Sequence, residues 1–244
     1  MKLSKKKLAV ILLLIVTLIM AAVLSAAYYT DNNEKNNVFT TGNVKISLSE
    51  ERYDLPENTA DREHLSPREE VIKDPKVTNT GISDCFVFVE IFVPRTNRIL
   101  IDENGNKLPQ KEVDVFSFET RPEWVLMEEG ETQDSVTRKP YSRYVYAYAT
   151  GGKGGKMTVL KRGKSTPTLF LNDKIKYKNF IELDKNITYE LPVYAYAIQT
   201  TDIMTGNDIM TEPVVDGKGT DIPGFVWKNL KAQKIEEERS VEEP

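Results

Sequence analysis

Short β-prone segments separated by turn signals run through most of this 244-residue chain. Val44, Ile46 and Leu48 alternate with polar residues, which is the period of a half-buried strand. Residues 86–93 are apolar at nearly every position, as in a central strand that is covered on both faces. About eight to ten such segments, with almost no amphipathic helix, indicate an all-β fold and predict a single-domain β-sandwich.

The ends of the predicted strands follow from proline, glycine and charge. Pro94 is expected to end the central strand, and the acidic residues 128–131 are expected to end a strand that begins at Trp124. Asn104-Gly105 between β-prone arms predicts a hairpin tip. Residues 141–149 place tyrosines on one face of a strand and small apolar residues on the other. Further strands are expected around 71–78, 113–118, 157–160, 175–180 and 188–199.

The first 27 residues have the three parts of a secretory leader. Four lysines, at positions 2, 5, 6 and 7, precede an apolar run from Leu8 to Leu24 and then the small residues Ser25, Ala26 and Ala27. The charges hold the start of the chain on the cytoplasmic side, and small side chains give a signal peptidase access to the backbone. The sequence therefore predicts cleavage between Ala27 and Tyr28, and a secreted protein.

A permanent signal anchor is the alternative interpretation of this segment. The apolar run is close to the roughly 17-residue lower limit for a helix that crosses a bilayer. An uncleaved leader would then hold the chain at the membrane as a tethered adhesin. Ser25 and Ala27 favour cleavage, because an anchor has no need for small residues there.

Composition limits what the exported chain can be. Cys85 is the only cysteine, so an intrachain disulfide is excluded, and its apolar neighbours predict a buried thiol. Loss of the four leader lysines changes the formal charge from −4 to −8. An acidic protein gains no counterion-release affinity for nucleic acid, so we expect no nucleic-acid partner.

Several short motifs resemble the TasA/camelysin family, which are secreted proteins of Gram-positive bacteria. The lysine-rich leader is followed by Tyr-Tyr-Thr-Asp and then by Phe-x-x-Gly-Asn-Val-x-Ile-x-Leu at residues 39–48. Further matching motifs are Leu-x-Pro at 65–67, Lys-Asp-Pro at 73–75, Asn-x-Gly at 79–81, Ser-Thr-Pro at 165–167 and Ala-Ile-Gln at 197–199. Arg68 departs from the pattern, because the family usually has glycine at that turn.

The resemblance implies a fold, a partner and a use. It implies a jelly-roll sandwich over residues 28–232 and processing by the dedicated signal peptidase SipW, whereas the acidic composition of residues 233–244 predicts a disordered tail. A mobile β-prone arm at 28–48 can pair with an open edge of another copy and so build a fibre of the cell surface or biofilm matrix. The apolar residues of this donor strand are Val38, Phe39, Val44, Ile46 and Leu48. Other matrix components are further expected partners.

A camelysin-like surface metallo-endopeptidase is the alternative function. Zinc hydrolysis usually needs two or more histidines, often as His-Glu-x-x-His, and this chain has only His64. Glu63, Glu69 and Glu70 are the carboxylates that could join it at a metal ion. We therefore expect no catalytic residues and no cofactor, with zinc only under this alternative.

N-terminal sequencing of the exported protein checks the leader. We expect the mature chain to begin at Tyr28, because the small residues before it admit the peptidase. A mature chain that still begins at Met1 would instead establish the membrane anchor.

Overall fold

The computed structural model describes residues 44–55, 65–181, 189–200 and 223–242, together with two short strands at 204–205 and 208–209. Within these ranges the chain forms thirteen strands and one long helix, and the all-β fold class is confirmed. The strands are β1 (Ile46–Ser49), β2 (Glu70–Ile72), β3 (Lys76–Asn79), β4 (Cys85–Arg98), β5 (Lys111–Asp114), β6 (Phe116–Ser117), β7 (Trp124–Gln133), β8 (Pro140–Thr150), β9 (Lys156–Met157), β10 (Lys174–Tyr177), β11 (Val193–Gln199), β12 (Met204–Thr205) and β13 (Asp208–Ile209). The helix α1 is Pro223–Glu242.

The largest sheet is antiparallel and has the order β11-β4-β8-β7, with β5 added to β4 and β9 added to β8. Its central strand β4 is 14 residues long and buried over most of its length. Val87, Val89 and Ile91 pack on one face, and Phe86 and Phe88 pack on the other. The continuous apolar run therefore forms a strand that is covered on both sides, as predicted.

Two expected strand ends are wrong. β4 continues through Pro94 to Arg98 because Pro94 lies between two neighbours on one edge, where β11 begins with Val193 opposite Ile91 and β5 ends with Asp114 opposite Arg95. A proline that lacks an N–H is tolerated at such a gap in the ladder. β7 likewise continues through the acidic residues 128–131, with a bulge between Leu126 and Glu128.

Two smaller sheets cover one face of the large sheet. They have the orders β1-β3 and β2-β10-β6, and both are antiparallel. Their buried side chains, including Ile46, Val77 and Ile175, form one core with the inward residues of β4 and β11. The predicted tyrosine face of β8 points into this core, where Tyr146 is buried.

The helix α1 covers the opposite face of the large sheet. Val226, Trp227 and Leu230 are buried against the second core, to which β8 contributes Val145 and Ala147. The helix begins at Pro223, a residue that is favourable in the first turn. It also continues over residues 233–242, which were predicted to belong to a disordered tail.

Two turns contain a residue with a positive φ. Gly105 has φ +84° at the predicted hairpin tip, where Leu108 N donates to Leu100 O at 2.9 Å. Arg68 has φ +69°, and Glu69 N donates to Ser66 O at 3.0 Å across the same turn. The turn therefore keeps the backbone conformation that favours glycine even though arginine occupies the position.

Replacement of Arg68 tests this backbone strain. We expect Arg68→Gly to unfold at a higher urea concentration than Arg68→Ala, by about 1 kcal/mol in free energy of unfolding, because both lose the guanidinium and only glycine relieves the positive φ. Glu69, which has no positive φ, is the matched control, and there alanine should be the more stable of the two replacements. Equal stability of the two Arg68 variants would contradict the assignment of strain.

Candidate assembly site

The candidate assembly site is the start of the described chain, where β1 lies in its own subunit. Val44, Ile46 and Leu48 are 4%, 1% and 5% exposed, and Lys45, Ser47 and Ser49 alternate with them. β1 pairs antiparallel with β3 from Ile46 opposite Asn79 to Ser49 opposite Lys76. Lys45 O extends this ladder by accepting from Thr80 N and Gly81 N at 2.8 and 2.9 Å.

A charged turn of residues 50–53, here called the anchor turn, follows β1 directly. Glu50 and Lys73 form a buried ion pair with 2.8 Å between Oε2 and Nζ, and their side chains are 10% and 7% exposed. The two carboxylate oxygens of Asp74 accept from Arg52 N at 2.9 Å and from Tyr53 N at 3.0 Å. The Lys73 ammonium also lies 4.2 Å from the centre of the Tyr53 ring. Residues 73 and 74 therefore hold the turn through both backbone and side chains.

The anchor turn has a third tie, to Asp173. Arg52 Nη1 lies 3.0 Å from Asp173 Oδ2, and Arg121 Nη2 lies 3.1 Å from Oδ1 of the same carboxylate. Burial opposes ionisation of Asp173, but hydrogen bonds from Thr168 and Arg121 outweigh it and lower the pKa of Asp173 below its ordinary value. Asn172 and Asp173 both have φ +59°, so these polar contacts hold two residues in a conformation that side chains disfavour.

The free energy of side-chain burial shows how firmly β1 is held in its own subunit. Burial of side chains such as those of Val44, Ile46 and Leu48 contributes about 1.5–3 kcal/mol each, or roughly 5–9 kcal/mol together. That sum is similar to the whole net stability of an ordinary domain, which is about 5–15 kcal/mol. Removal of β1 from its own sheet with nothing in its place would therefore cost a large part of that stability.

A second polar cluster crosses the helix-covered face of the large sheet. The carboxylate of Glu90 on β4 accepts from Arg143 on β8 and, at 2.5 Å, from the Tyr196 hydroxyl on β11. Arg143 also contacts Glu128 on β7 at 3.2 Å, and Glu128 is paired with Lys231 on α1. Burial opposes ionisation of Glu128, but hydrogen bonds led by that from Lys231 outweigh it and lower the pKa to about 2.

Sequence reasoning missed the polar residues of both clusters. Glu90 was visible as the one charge in an apolar strand, and this was the only signal in the sequence. Glu50, Lys73 and Arg143 come from separate segments, and only the fold brings them to their partners.

Some of the predicted site residues lie outside the described part of the chain, and the others lie in the core. Ala27, Tyr28, Val38, Phe39 and His64 lie outside the described residues, so the cleavage, arm and metal predictions that use them remain predictions. Val44, Ile46 and Leu48 occupy the core of their own subunit. Among the described residues, no group of three His, Cys, Asp or Glu side chains is arranged to hold a metal ion.

Cys85 confirms the predicted burial. Its side chain is fully buried at the start of β4, and burial, which is the main cause, raises the pKa of the thiol to about 12. Such a thiol is almost entirely protonated at neutral pH and is a poor nucleophile.

Comparison with known proteins adds no relative, since no family model, no curated protein and no solved structure matches this chain. In the part of the chain that the structure describes, no helix has both the length and the apolar character needed to cross a membrane.

The buried ion pair of the anchor turn provides a stability test. Lys73→Met should reduce the free energy of unfolding by about 3–5 kcal/mol, because it leaves the Glu50 carboxylate buried without its cation. Glu50→Leu combined with Lys73→Met should recover most of this loss, because the double variant removes both charges of the pair. Urea unfolding of each variant measures the difference.

The exposed pair Lys174–Glu70 is the matched control, because it has the same 2.8 Å separation with side chains 44% and 53% exposed. Lys174→Met should cost less than about 1 kcal/mol. If Lys73→Met costs no more than this control, the pair does not hold the turn.

Proposed function

We propose that this chain is an exported protein of the cell surface or biofilm matrix that assembles into fibres by exchange of its N-terminal segment. In this proposal the leader is removed by a SipW-type signal peptidase, and only a copy that retained its leader would contact the membrane. The partners are other copies of the same chain and further matrix components. The leader, the single cysteine and the motifs that resemble the TasA/camelysin family support it.

The fold supports the proposal at a coarser level. The large antiparallel sheet has smaller antiparallel sheets on one face, and their side chains share one core. Two layers of antiparallel strands around one core are the arrangement on which a β-sandwich is built. We propose that these layers form the jelly roll that the resemblance implies.

The position of β1 is the observation that carries the proposal. β1 is the first described strand, and in the described part of the chain its sheet contains only one other strand, β3. The polypeptide ahead of Val44 therefore joins the fold at a small two-stranded sheet and not at the middle of the large one. A segment connected in this way can be exchanged without threading it through the domain.

The geometry of exchange predicts a polymer and not a closed pair. The donated segment and the surface that receives it are different parts of the molecule. Each copy can therefore donate its segment to one neighbour and accept the segment of another. Main-chain hydrogen bonds supply affinity in such strand addition, and alternate apolar side chains supply register. Val38 and Phe39 are the apolar residues of the segment that precedes Val44.

Deletion of residues 28–41 from the exported protein tests this function. We expect the shortened protein to remain a folded monomer while the full-length protein forms fibres, because β1 and the core are intact without the arm. Electron microscopy and light scattering distinguish the two outcomes.

A matched pair of variants in the full-length arm distinguishes the effect of the arm's sequence on fibre formation from the effect of its length. Val38→Ser with Phe39→Ser should abolish fibres, whereas Asn36→Ser with Asn37→Ser should leave them unchanged. Fibres that persist after the deletion would rule out N-terminal exchange.

A further inference from the structure

We propose that the anchor turn sets the boundary of strand exchange, so that residues from Val44 onwards stay in their own subunit and only the segment ahead of Val44 enters a second copy. This inference rests on the proposed function and narrows the predicted donor strand at 28–48 to residues 28–43. The partner remains a second copy of the chain.

The turn that follows β1 is fixed on three sides. Glu50 is paired with Lys73 at 2.8 Å in a site where both side chains are at least nine-tenths buried. Asp74 receives two backbone N–H groups of the turn, and Arg52 reaches across to Asp173. Lys76 Nζ adds a more exposed contact to Glu51 Oε1 at 2.9 Å. Four consecutive residues are therefore tied to other segments of the same subunit.

This arrangement differs from that of a hinge. A hinge absorbs changes in backbone dihedral angles and is made of residues with few competing contacts. Release of residues 50–53 would separate the Glu50–Lys73 pair and leave the Asp74 carboxylate without its two donors. Uncompensated burial of charged groups opposes such a release. The exchanged segment is therefore expected to end before β1 and not after the anchor turn.

The contacts of β1 itself also favour its retention in its own subunit. Its ladder with β3 spans four residue pairs, and Val44, Ile46 and Leu48 contribute to the main core. Exchange of β1 would remove these three side chains from the core of the subunit that donates them, and the core would close again only when the β1 of a neighbour replaced them. Of the five apolar residues predicted for the donor strand, only Val38 and Phe39 are then available to a neighbour.

The segment ahead of Val44 is long enough for this role. Residues 28–43 reach at most about 55 Å when fully extended. A strand of five or six residues needs less than half of this length, at about 3.3 Å per residue. The remainder suffices to connect two neighbouring subunits.

A reversible disulfide between β1 and β3 tests the boundary. Ser47 and Thr78 are directly opposite in the register and only partly buried, so Ser47→Cys with Thr78→Cys places two thiols within bonding reach. The oxidised, leader-free protein should form fibres without loss relative to its reduced form, because β1 does not leave its subunit. Loss of fibres on oxidation and their return on reduction would overturn the inference, since β1 would then be part of the exchanged strand.

A control disulfide and a peptide competition complete the experiment. Asn97→Cys with Glu112→Cys joins β4 to β5, outside the β1–β3 sheet, and should leave assembly unchanged in both redox states. Independently of any variant, excess synthetic peptide of residues 28–43 should stop elongation of wild-type fibres, and a peptide of residues 44–49 should have no effect. Inhibition by the 44–49 peptide alone would overturn the boundary.

The outcome for the wild-type protein separates the two proposals. If wild-type protein forms no fibres under any condition, the proposed function fails and the boundary fails with it. If wild-type fibres form but oxidation of the β1–β3 disulfide blocks them, only the boundary fails.

Discussion

Burial of β4 on both faces is the constraint on which the rest of the structure depends. An apolar strand of this length cannot leave either face in water, so each face needs its own cover. The small sheets that contain β1, β3, β2, β10 and β6 cover one face, and α1 covers the other. With a single buried cysteine there is no intrachain disulfide, and packing of these layers provides the stability.

The two polar clusters provide partners for charged side chains that the covering layers bury. Glu90 is the one acidic residue in the apolar part of β4, and contacts from Arg143 and Tyr196 make its burial tolerable. Through Glu128 and Lys231 the same cluster reaches α1, so the position of the helix is specified by charge as well as by apolar contact. Glu50 and Lys73 have the corresponding role where β1 ends.

The beginning of the domain combines two properties that assembly by strand exchange requires. β1 is held firmly by its buried side chains and by the anchor turn, so the domain stays closed. The chain ahead of it joins a small sheet of two strands. A fixed base and an extending segment would allow one copy to reach another while its own core stays closed. The proposed fibre therefore depends on a stable boundary between the arm and the domain.

The sequence by itself determined the all-β class, the central strand at 86–93 and the alternation in β1 and β8. It also determined the hairpin at Gly105 and the burial of Cys85. Local periodicity and turn chemistry control these features. The tertiary structure decided where β4 and β7 end, since Pro94 and the acidic residues of β7 are accommodated by particular neighbours and a bulge. It also decided that Trp227 belongs to a helix that covers a sheet. The pairing of Glu50 with Lys73 and of Glu90 with Arg143 was likewise beyond the sequence, because each partner comes from a segment distant along the chain and only the folded register brings the charges together.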